Sequence, residues 1–231
     1  MTNPRRTATR AVTVATAVAL GATMLGCGMI QNAVDTANAL SEFSDRLGKA
    51  SSLTYTAEYA YEGETVTLVQ QPPKAAVLTG DGRLITTPEA MIMCDGTECQ
   101  SAPSAGTTDP SLVAGVAGPG FLTPELALGL VAAAAIVPGT DVSTSEREIA
   151  GQDALCADVT GIEDPSGAAP GDMRNFTVCV TGDGVLASFV GETQAGEKAS
   201  IELTSFSTKV DKNAFQPPKG ANVVDVTALT Y

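Results

Sequence analysis

Histidine and tryptophan are absent from this chain, and the aromatic residues are limited to four tyrosines and six phenylalanines. Histidine is the usual general base for serine and cysteine nucleophiles, so its absence argues against enzymes of that kind. Paired carboxylates can act without it, but the acidic residues here stand mostly at turns and on polar strand faces, where solvation explains them. We therefore expect no catalytic residues, no enzyme activity and no cofactor.

Basic residues are scarce as well, with 13 lysines and arginines against 26 acidic residues. Three of the 13 are Arg5, Arg6 and Arg10, so the chain beyond residue 26 keeps 10 basic residues and a net charge of −16. Such a surface repels nucleic acid phosphates and anionic lipid headgroups. This excludes a nucleic acid partner and favours a well-solvated domain that stands off any membrane to which it is attached.

The N-terminal segment carries the pattern of an export signal. The three arginines are followed by an uncharged run, Ala11 to Leu25, and then by Gly26. A positive head, an apolar run and a small residue at its end are typical of secretory signal peptides. The run is shorter than the roughly 20 residues that span a bilayer core, so an uncleaved membrane anchor is the weaker interpretation. Residues 1–26 are therefore predicted to be a signal peptide.

A cysteine at the end of the run makes the prediction more specific, because Met24-Leu25-Gly26-Cys27 resembles the bacterial lipobox. The resemblance implies that diacylglycerol is joined to the sulfur of Cys27 and that cleavage makes this cysteine the first residue. Two acyl chains give durable attachment, so we expect a lipid-anchored protein at the extracytoplasmic face of the cell membrane. A buried cysteine beside an ordinary cleavage site is the alternative. The abundance of Ala, Val and Thr resembles proteins of high-GC Gram-positive bacteria, the actinobacteria.

Four cysteines remain beyond the lipobox, and an even number in an exported chain predicts disulfides. Three pairings exist, and we favour Cys94 with Cys99 and Cys156 with Cys179. An Asp-Gly turn lies between Cys94 and Cys99, so a hairpin would place these two opposite each other. The other pair flanks a loop rich in Pro, Gly and Ala. A zinc site is the alternative, but Cys-x-x-Cys spacings and histidine are missing, and no metal is expected.

The pattern of apolar residues changes along the mature chain. Between Ile30 and Ala50 they recur at helical spacing and predict an amphipathic helix. Packing on its own domain is favoured over lying on the membrane, because the polar face has acids and few bases. From Leu53 to Ser101, alternating runs separated by turn residues predict an antiparallel meander. Its first strand places Tyr55 and Tyr59 on one face, either as a packed face or as the wall of a ligand site.

The second half begins with an irregular segment, Ala102 to Gly120, interpreted as a mobile connection that is either a gate over a pocket or plain slack. Thr123-Pro124-Glu125 then carries the signals of a helix start, and the helix is predicted to reach about Val137. Its residues leave no polar face, so it is buried or lines a cavity. Alternating runs between Asp141 and Ser207 predict a second meander, which Phe215 to Gly220 terminates.

The order of these elements resembles the LolA-like lipoprotein carriers of the LppX and LprG kind. The resemblance rests on the amphipathic helix, the meander, helices at about residues 109–137, the second meander and the tail, with the hairpin before Pro72-Pro73-Lys74. It implies an α+β fold in which a single curved antiparallel sheet, an incomplete barrel, wraps around a few helices. The predicted units are the signal peptide 1–26, the lipidated N terminus and amphipathic helix 27–50, and a LolA-like domain 51–231.

The resemblance also implies an apolar cavity between sheet and helices that takes acyl chains. The residues expected to line it are Tyr55, Tyr59, Phe121, Leu126, Leu130 and Ile136. One expected function is a carrier or receptor for a lipid or another acylated ligand. The other is a tethered, non-catalytic sensor or interaction module with a filled core, which meets an envelope protein. In both cases we expect a monomer that contacts the membrane through its diacylglycerol.

Overall fold

The computed structural model describes residues 38, 41–46, 49–104, 116–117, 121–162 and 173–226. The predicted leader, Cys27 and the loop 163–172 lie outside the described residues. The described part contains a helix α1 (Pro124–Ala134), a 3-10 turn (Lys212–Phe215) and further helical residues at 41–46. Its strands are β1 Tyr55–Tyr61, β2 Glu64–Gln71, β3 Lys74–Leu78, β4 Gly82–Thr86, β5 Ala90–Asp95, β6 Glu98–Pro103, β7 Asp141–Ile149, β8 Gln152–Thr160, β9 Met173–Thr181, β10 Leu186–Thr193, β11 Lys198–Ser207 and β12 Asn222–Asp225.

All the strands among the described residues belong to one large open sheet of 12 strands, in the order β12-β6-β5-β4-β3-β2-β1-β11-β10-β9-β8-β7. Neighbours are antiparallel except β12, which runs parallel to β6. The two predicted meanders correspond to β1–β6 and β7–β11, and the pairing of β1 with β11 joins them into one sheet. The expected α+β fold built on a single antiparallel sheet is confirmed at this level.

The main hydrophobic core lies on one face of the sheet, which we call the inner face. Strand alternation sends every second side chain of β1, β8 and β9 to this face. Helix α1 packs on it at β8 and β9. The opposite, outer face carries two smaller clusters. In one of them the 3-10 turn covers β2–β4 through Val69, Ala76, Ile85, Ala214 and Phe215. The other surrounds the disulfide between β8 and β9.

Both favoured disulfides are confirmed. Cys94 and Cys99 stand directly opposite each other on β5 and β6, with their Cα atoms 4.0 Å apart. Cys156 and Cys179 occupy the equivalent positions on β8 and β9, with a Cα separation of 3.9 Å. Each bond therefore ties two neighbouring strands at a fixed register, and all four sulfur-bearing side chains are buried.

The helical residues 41–46 pack on the inner face, because Phe43 is buried in the main core. Arg46 pairs with Glu42 at 2.7 Å, and its Nη1 donates to the carbonyl oxygen of Val180 at 3.4 Å. Of the two interpretations of the N-terminal helix, packing on its own domain is the one that the described residues support. The predicted stretch from Ile30 to residue 37 lies outside them.

Several element boundaries differ from the prediction. β6 continues to Pro103, into the segment expected to be irregular, because it pairs with β5 as far as that residue. α1 ends at Ala134, and a turn replaces the last predicted helical residues before Pro138-Gly139. The tail after β11 was expected to end the sheet, but the 3-10 turn leads instead to β12, which has only four residues. Such a short strand has no pattern of its own and depends on its neighbour.

Candidate functional site

The aromatic row of β1 faces the main core as the alternation predicts. Tyr55, Tyr59 and Tyr61 are all buried. Phe121, which precedes α1, stands edge-on to both Tyr59 and Tyr61, with ring centroids 5.9 and 5.6 Å away. Tyr55 instead stacks on Phe206 of β11 at 6.0 Å. The structure thus brings Tyr59 and Phe121 together, while Tyr55 packs farther along the strand.

Helix α1, which follows Phe121, covers β8 and β9 of the same inner face with small side chains. Thr123 caps its N terminus, because the hydroxyl oxygen accepts a hydrogen bond from the backbone N–H of Leu126 at 3.4 Å. The buried face consists of Ala127, Val131 and Ala134, all without exposed surface, and it meets β8 and β9. Alanine and valine let a helix approach a sheet closely while burying little apolar area.

The other predicted cavity residues are divided between the two sides of α1. Leu130 is partly buried and packs against the main core. Leu126 is 42 % exposed, on the solvent side of the helix, and Ile136 is 83 % exposed, in the turn after it. The prediction that these two line a cavity is therefore wrong for this structure. Apolar residues occur all round this helix, so the sequence could not choose its buried face, and Ile136 lies beyond the helix end.

The hydroxyl group of Tyr59 is the unusual feature of this core. It is fully buried and finds no hydrogen-bond partner among the described residues. Burial raises the pKa of this phenol well above its usual range, and the nearby hydroxyl of Tyr55 adds to the effect. The group therefore stays protonated and is a neutral donor. An unsatisfied buried polar group costs about 1–3 kcal/mol, so a binding partner for this hydroxyl would be stabilising.

Tyr61, two residues along the same strand, makes an informative comparison. Burial raises the pKa of its phenol first, and the negative charge of Glu62 and a hydrogen bond to that side chain raise it further. Its hydroxyl is thus satisfied at the edge of the core. Of the two neighbouring tyrosines, only Tyr59 presents a free donor within the described part of the core.

A second depression lies at the β12 end of the sheet, beside the Cys94–Cys99 disulfide. It is a half-open groove of about 820 Å³. Met93 and Val116 give it an apolar floor, whereas Asp81, Asp95 and Glu98 line it with carboxylates. The carboxylates disfavour an anionic lipid in this groove. Sequence reasoning missed this groove, because Val116 and β12 reach it from distant parts of the chain.

The described residues contain no set of side chains that could hold a metal ion. No group of three or more histidine, cysteine, aspartate or glutamate side chains is arranged there to hold a metal ion. Within the same residues, no helix combines the length and the apolar character needed to cross a membrane.

Comparison with known proteins does not assign this chain to a protein family. No family model matches the chain. No curated protein matches it either. Among solved structures, the hypothetical protein CT021 from Chlamydia trachomatis is similar over 69 % of this chain and 89 % of that one, with 7 % sequence identity and a TM-score of 0.35. A TM-score this low carries no argument about fold or function.

Proposed function

We propose that this protein is a lipoprotein of the extracytoplasmic face of the cell membrane, which binds an acylated hydrophobic ligand between the inner face of the sheet and α1. Its anchor is the diacylglycerol on Cys27, and this part of the proposal is supported by the lipobox-like residues alone. The ligand site is supported by the geometry around Tyr59. The protein acts as a monomeric carrier or receptor and catalyses no reaction.

The observation that carries the ligand site is the hydroxyl of Tyr59, which lies in an apolar core and has no hydrogen-bond partner among the described residues. An acylated ligand has a carbonyl oxygen that can accept a hydrogen bond from this group. Its hydrocarbon chain suits the apolar side chains that α1 and the strands contribute. Binding would therefore satisfy the one polar atom of the aromatic row that is costly to bury.

The way α1 is held supports access to such a site. Its buried face is formed by Ala127, Val131 and Ala134, which together bury less apolar surface than the same number of large side chains. Leu128 and Leu130 add contacts with the core but are only partly buried, so outward movement of α1 loses less stabilisation than it would for a helix with fully buried leucines. The apolar outer residues Leu126 and Ile136 can meet the ligand or the membrane during transfer.

We further propose that the sheet is of the LolA-like carrier type. Support comes from the order of a helical N terminus, antiparallel strands, α1 and a second set of strands in one sheet. An experimental structure of the lipid-loaded protein tests this proposal. Acyl density between α1 and a strongly curved sheet would support it, and a flat sheet with a solid interface beneath α1 would refute it.

Native mass spectrometry of the chain from residue 28, exported without its anchor by a host with the same type of envelope, tests the binding function. We expect a reproducible adduct with the mass of an acylated lipid, which solvent extraction removes. A bare mass with both disulfides intact, together with an interior that a crystal structure shows to be filled, would contradict the proposal.

Replacing Tyr59 with phenylalanine separates ligand binding from packing. Without ligand, Tyr59→Phe should raise the free energy of unfolding by about 1 kcal/mol, because it removes an unsatisfied buried hydroxyl. The same variant should retain less lipid. Tyr61→Phe is the matched control, since its hydroxyl already has a partner in Glu62, and it should lower stability without affecting lipid retention. Equal lipid retention by wild type and Tyr59→Phe would exclude this hydroxyl as the ligand contact.

A second function, a tethered interaction module, is favoured by one specific observation. Phe121 packs edge-on against Tyr59 and Tyr61 and occupies the space beside them, while Leu126 and Ile136 face outward. In this case the exposed apolar residues meet an envelope protein. Photo-crosslinking from position 136 in intact cells tests this function. A single crosslinked protein would support it, and crosslinks to lipid alone would favour the carrier.

A further inference from the structure

The strand β7 forms the free edge of the sheet opposite β12. It pairs with β8 along all nine of its residues, Asp141–Ile149, without a register shift. No other strand of the described chain lies beyond it. Every second residue of an edge strand directs its backbone N–H and C=O away from the sheet, so β7 offers a row of donors and acceptors that no other described strand uses. The other edge, β12, has only four residues and is too short for comparable pairing.

The side chains beside this edge are acidic on the inner face. Glu146 and Glu148 share that face because they stand opposite Leu155 and Asp153 of β8. Together with Arg46, Arg147, Asp153 and Ala154 they border a half-open groove of about 380 Å³ next to the β7–β8 turn. Among the described residues, Glu146, Glu148 and Asp153 have no ion-pair partner.

The two basic residues at the groove are already engaged. Arg46 pairs with Glu42 at 2.7 Å. Arg147 points to the outer face, where its guanidinium pairs with the carboxylate of Asp158 at 2.8 Å. Ser145 and Thr177 also donate hydrogen bonds to this carboxylate. On the inner face, the carboxylates beside the edge therefore keep an uncompensated negative charge. On the outer face, Arg147 and Asp158 neutralise each other.

We propose that β7 is a docking site for an extended basic peptide segment of a partner protein, which adds to the sheet as a further strand. Strand addition takes its affinity from main-chain hydrogen bonds and its specificity from alternate side chains. Because Glu146 and Glu148 are two residues apart on one face, the segment is expected to carry Lys or Arg at every second position. Small polar residues between them would face Ser143 and Ser145.

A second copy of this chain is the less favourable occupant. Symmetric antiparallel pairing of two β7 strands would bring Glu146 and Glu148 of both copies to the same face of the joint. Like charges in cross-strand neighbourhood are destabilising. A basic peptide meets the same carboxylates with the opposite charge, so charge complementarity selects it.

Fluorescence anisotropy with the full-length protein, expressed with its own leader, tests the proposal. The probe is a labelled nine-residue peptide that alternates threonine and lysine, and the counter-probe replaces each lysine with glutamate. We expect saturable binding of the lysine peptide and none of the glutamate peptide. Glu146→Lys with Glu148→Lys should weaken binding of the lysine peptide at least tenfold. The matched control, Glu197→Lys with Glu202→Lys, makes the same charge change at exposed positions away from the edge and should leave binding unchanged.

Peptides with N-methylated backbones distinguish strand addition from simple charge attraction. Alternate amides of an extended peptide point to opposite edges, so methylation of every second amide removes the N–H donors from one edge only. Two peptides, one methylated at the odd and one at the even positions, represent the two phases. We expect one phase to abolish binding and the other to preserve it, with slower amide exchange in residues 141–149 in the bound protein. Equal binding of both phases, or equal weakening by the control variant, would overturn the proposal. Protection of β7 that rises with protein concentration in the absence of peptide would also overturn it, in favour of a second copy.

Discussion

Gly184 determines how closely the N-terminal helical residues approach the sheet. Its φ angle of +86° is rare for side-chain-bearing residues, and a Cβ atom added there would collide with the backbone carbonyl of Arg46. Gly63 has a similar φ of +84° but open space around it. Both replacements by alanine pay the conformational cost of about 1 kcal/mol, and only Gly184→Ala adds the collision.

We therefore expect Gly184→Ala to lower the free energy of unfolding by clearly more than Gly63→Ala does. Urea unfolding of both variants measures the difference. If Phe43 and its neighbours are displaced from the core, proteolysis near residue 46 should also become faster in Gly184→Ala alone. Equal losses in the two variants would mean that residues 41–46 do not pack against the β9–β10 turn.

The sequence predicted individual site residues unevenly. The alternation in β1 placed Tyr55 and Tyr59 on the buried face. Successive side chains of a strand point to opposite faces, so all the odd-numbered residues of β1 share one face. It could not reveal that the hydroxyl of Tyr59 lacks a partner, since that depends on residues from distant strands. Leu126 and Ile136 were misplaced because an all-apolar helix has no polar stripe to indicate its outward side.

The orientation of α1 makes a prediction for two of its apolar residues. Val131 has no exposed surface, whereas Ile136 is 83 % exposed in the following turn. Val131→Lys would bury an unpaired charge and should cost more than about 3 kcal/mol. Ile136→Lys should stay within about 0.5 kcal/mol of wild type, as exposed positions usually do. Thermal unfolding of both variants tests the orientation, and a large loss from Ile136→Lys would show that this side of the helix is covered.

The two disulfides should contribute unequally to stability. Cys156 and Cys179 are 23 residues apart, and Cys94 and Cys99 only five. In the chain-entropy model a bond that closes a longer loop restricts the unfolded state more, which gives about 3 kcal/mol for the first bond and about 2 kcal/mol for the second. Paired cysteine-to-alanine variants, compared by urea unfolding, measure both contributions. A greater loss from the Cys94 and Cys99 pair would show that interactions in the folded state outweigh loop entropy.

Strands were predicted best where local signals were sufficient. The Asp-Gly turn between Cys94 and Cys99 fixed both a hairpin and a disulfide from six consecutive residues. β12 was missed because Val223 and Val224 form a strand only through parallel pairing with β6, more than a hundred residues earlier. The 3-10 turn was missed for the same reason, since Phe215 is held by side chains of β2–β4 on the outer face.

For the complete chain, the sequence predicted two meanders but not how they join. The connection is the antiparallel pairing of β1 with β11, which brings Tyr59 opposite Leu203. No local pattern encodes the register of strands so far apart in the chain. The register is set by the burial of the apolar faces of both strands in one core. This pairing places the tyrosine row in the middle of the sheet and thereby creates the candidate site.

Alkaline pH should destabilise the protein through its buried tyrosines. Burial raises the pKa of Tyr59, and burial with the charge of Glu62 raises that of Tyr61. In the unfolded chain tyrosine loses its proton near about pH 10. Above that pH the unfolded state binds fewer protons than the folded state, so the free energy of unfolding falls as pH rises, by up to about 1.4 kcal/mol per pH unit for each tyrosine. Below about pH 10 both tyrosines are protonated in the folded and the unfolded state, so they add no pH dependence to the free energy of unfolding.

Urea unfolding of wild type and Tyr59→Phe across this range isolates the contribution of one residue. All other titratable groups are common to both proteins, so their contributions cancel in the difference. We expect the stability advantage of Tyr59→Phe to be constant below about pH 9 and to grow steadily above about pH 10. An advantage that does not change with pH would mean that the hydroxyl of Tyr59 reaches water or a proton acceptor in the folded protein. That result would also remove the unpartnered donor on which the ligand site rests.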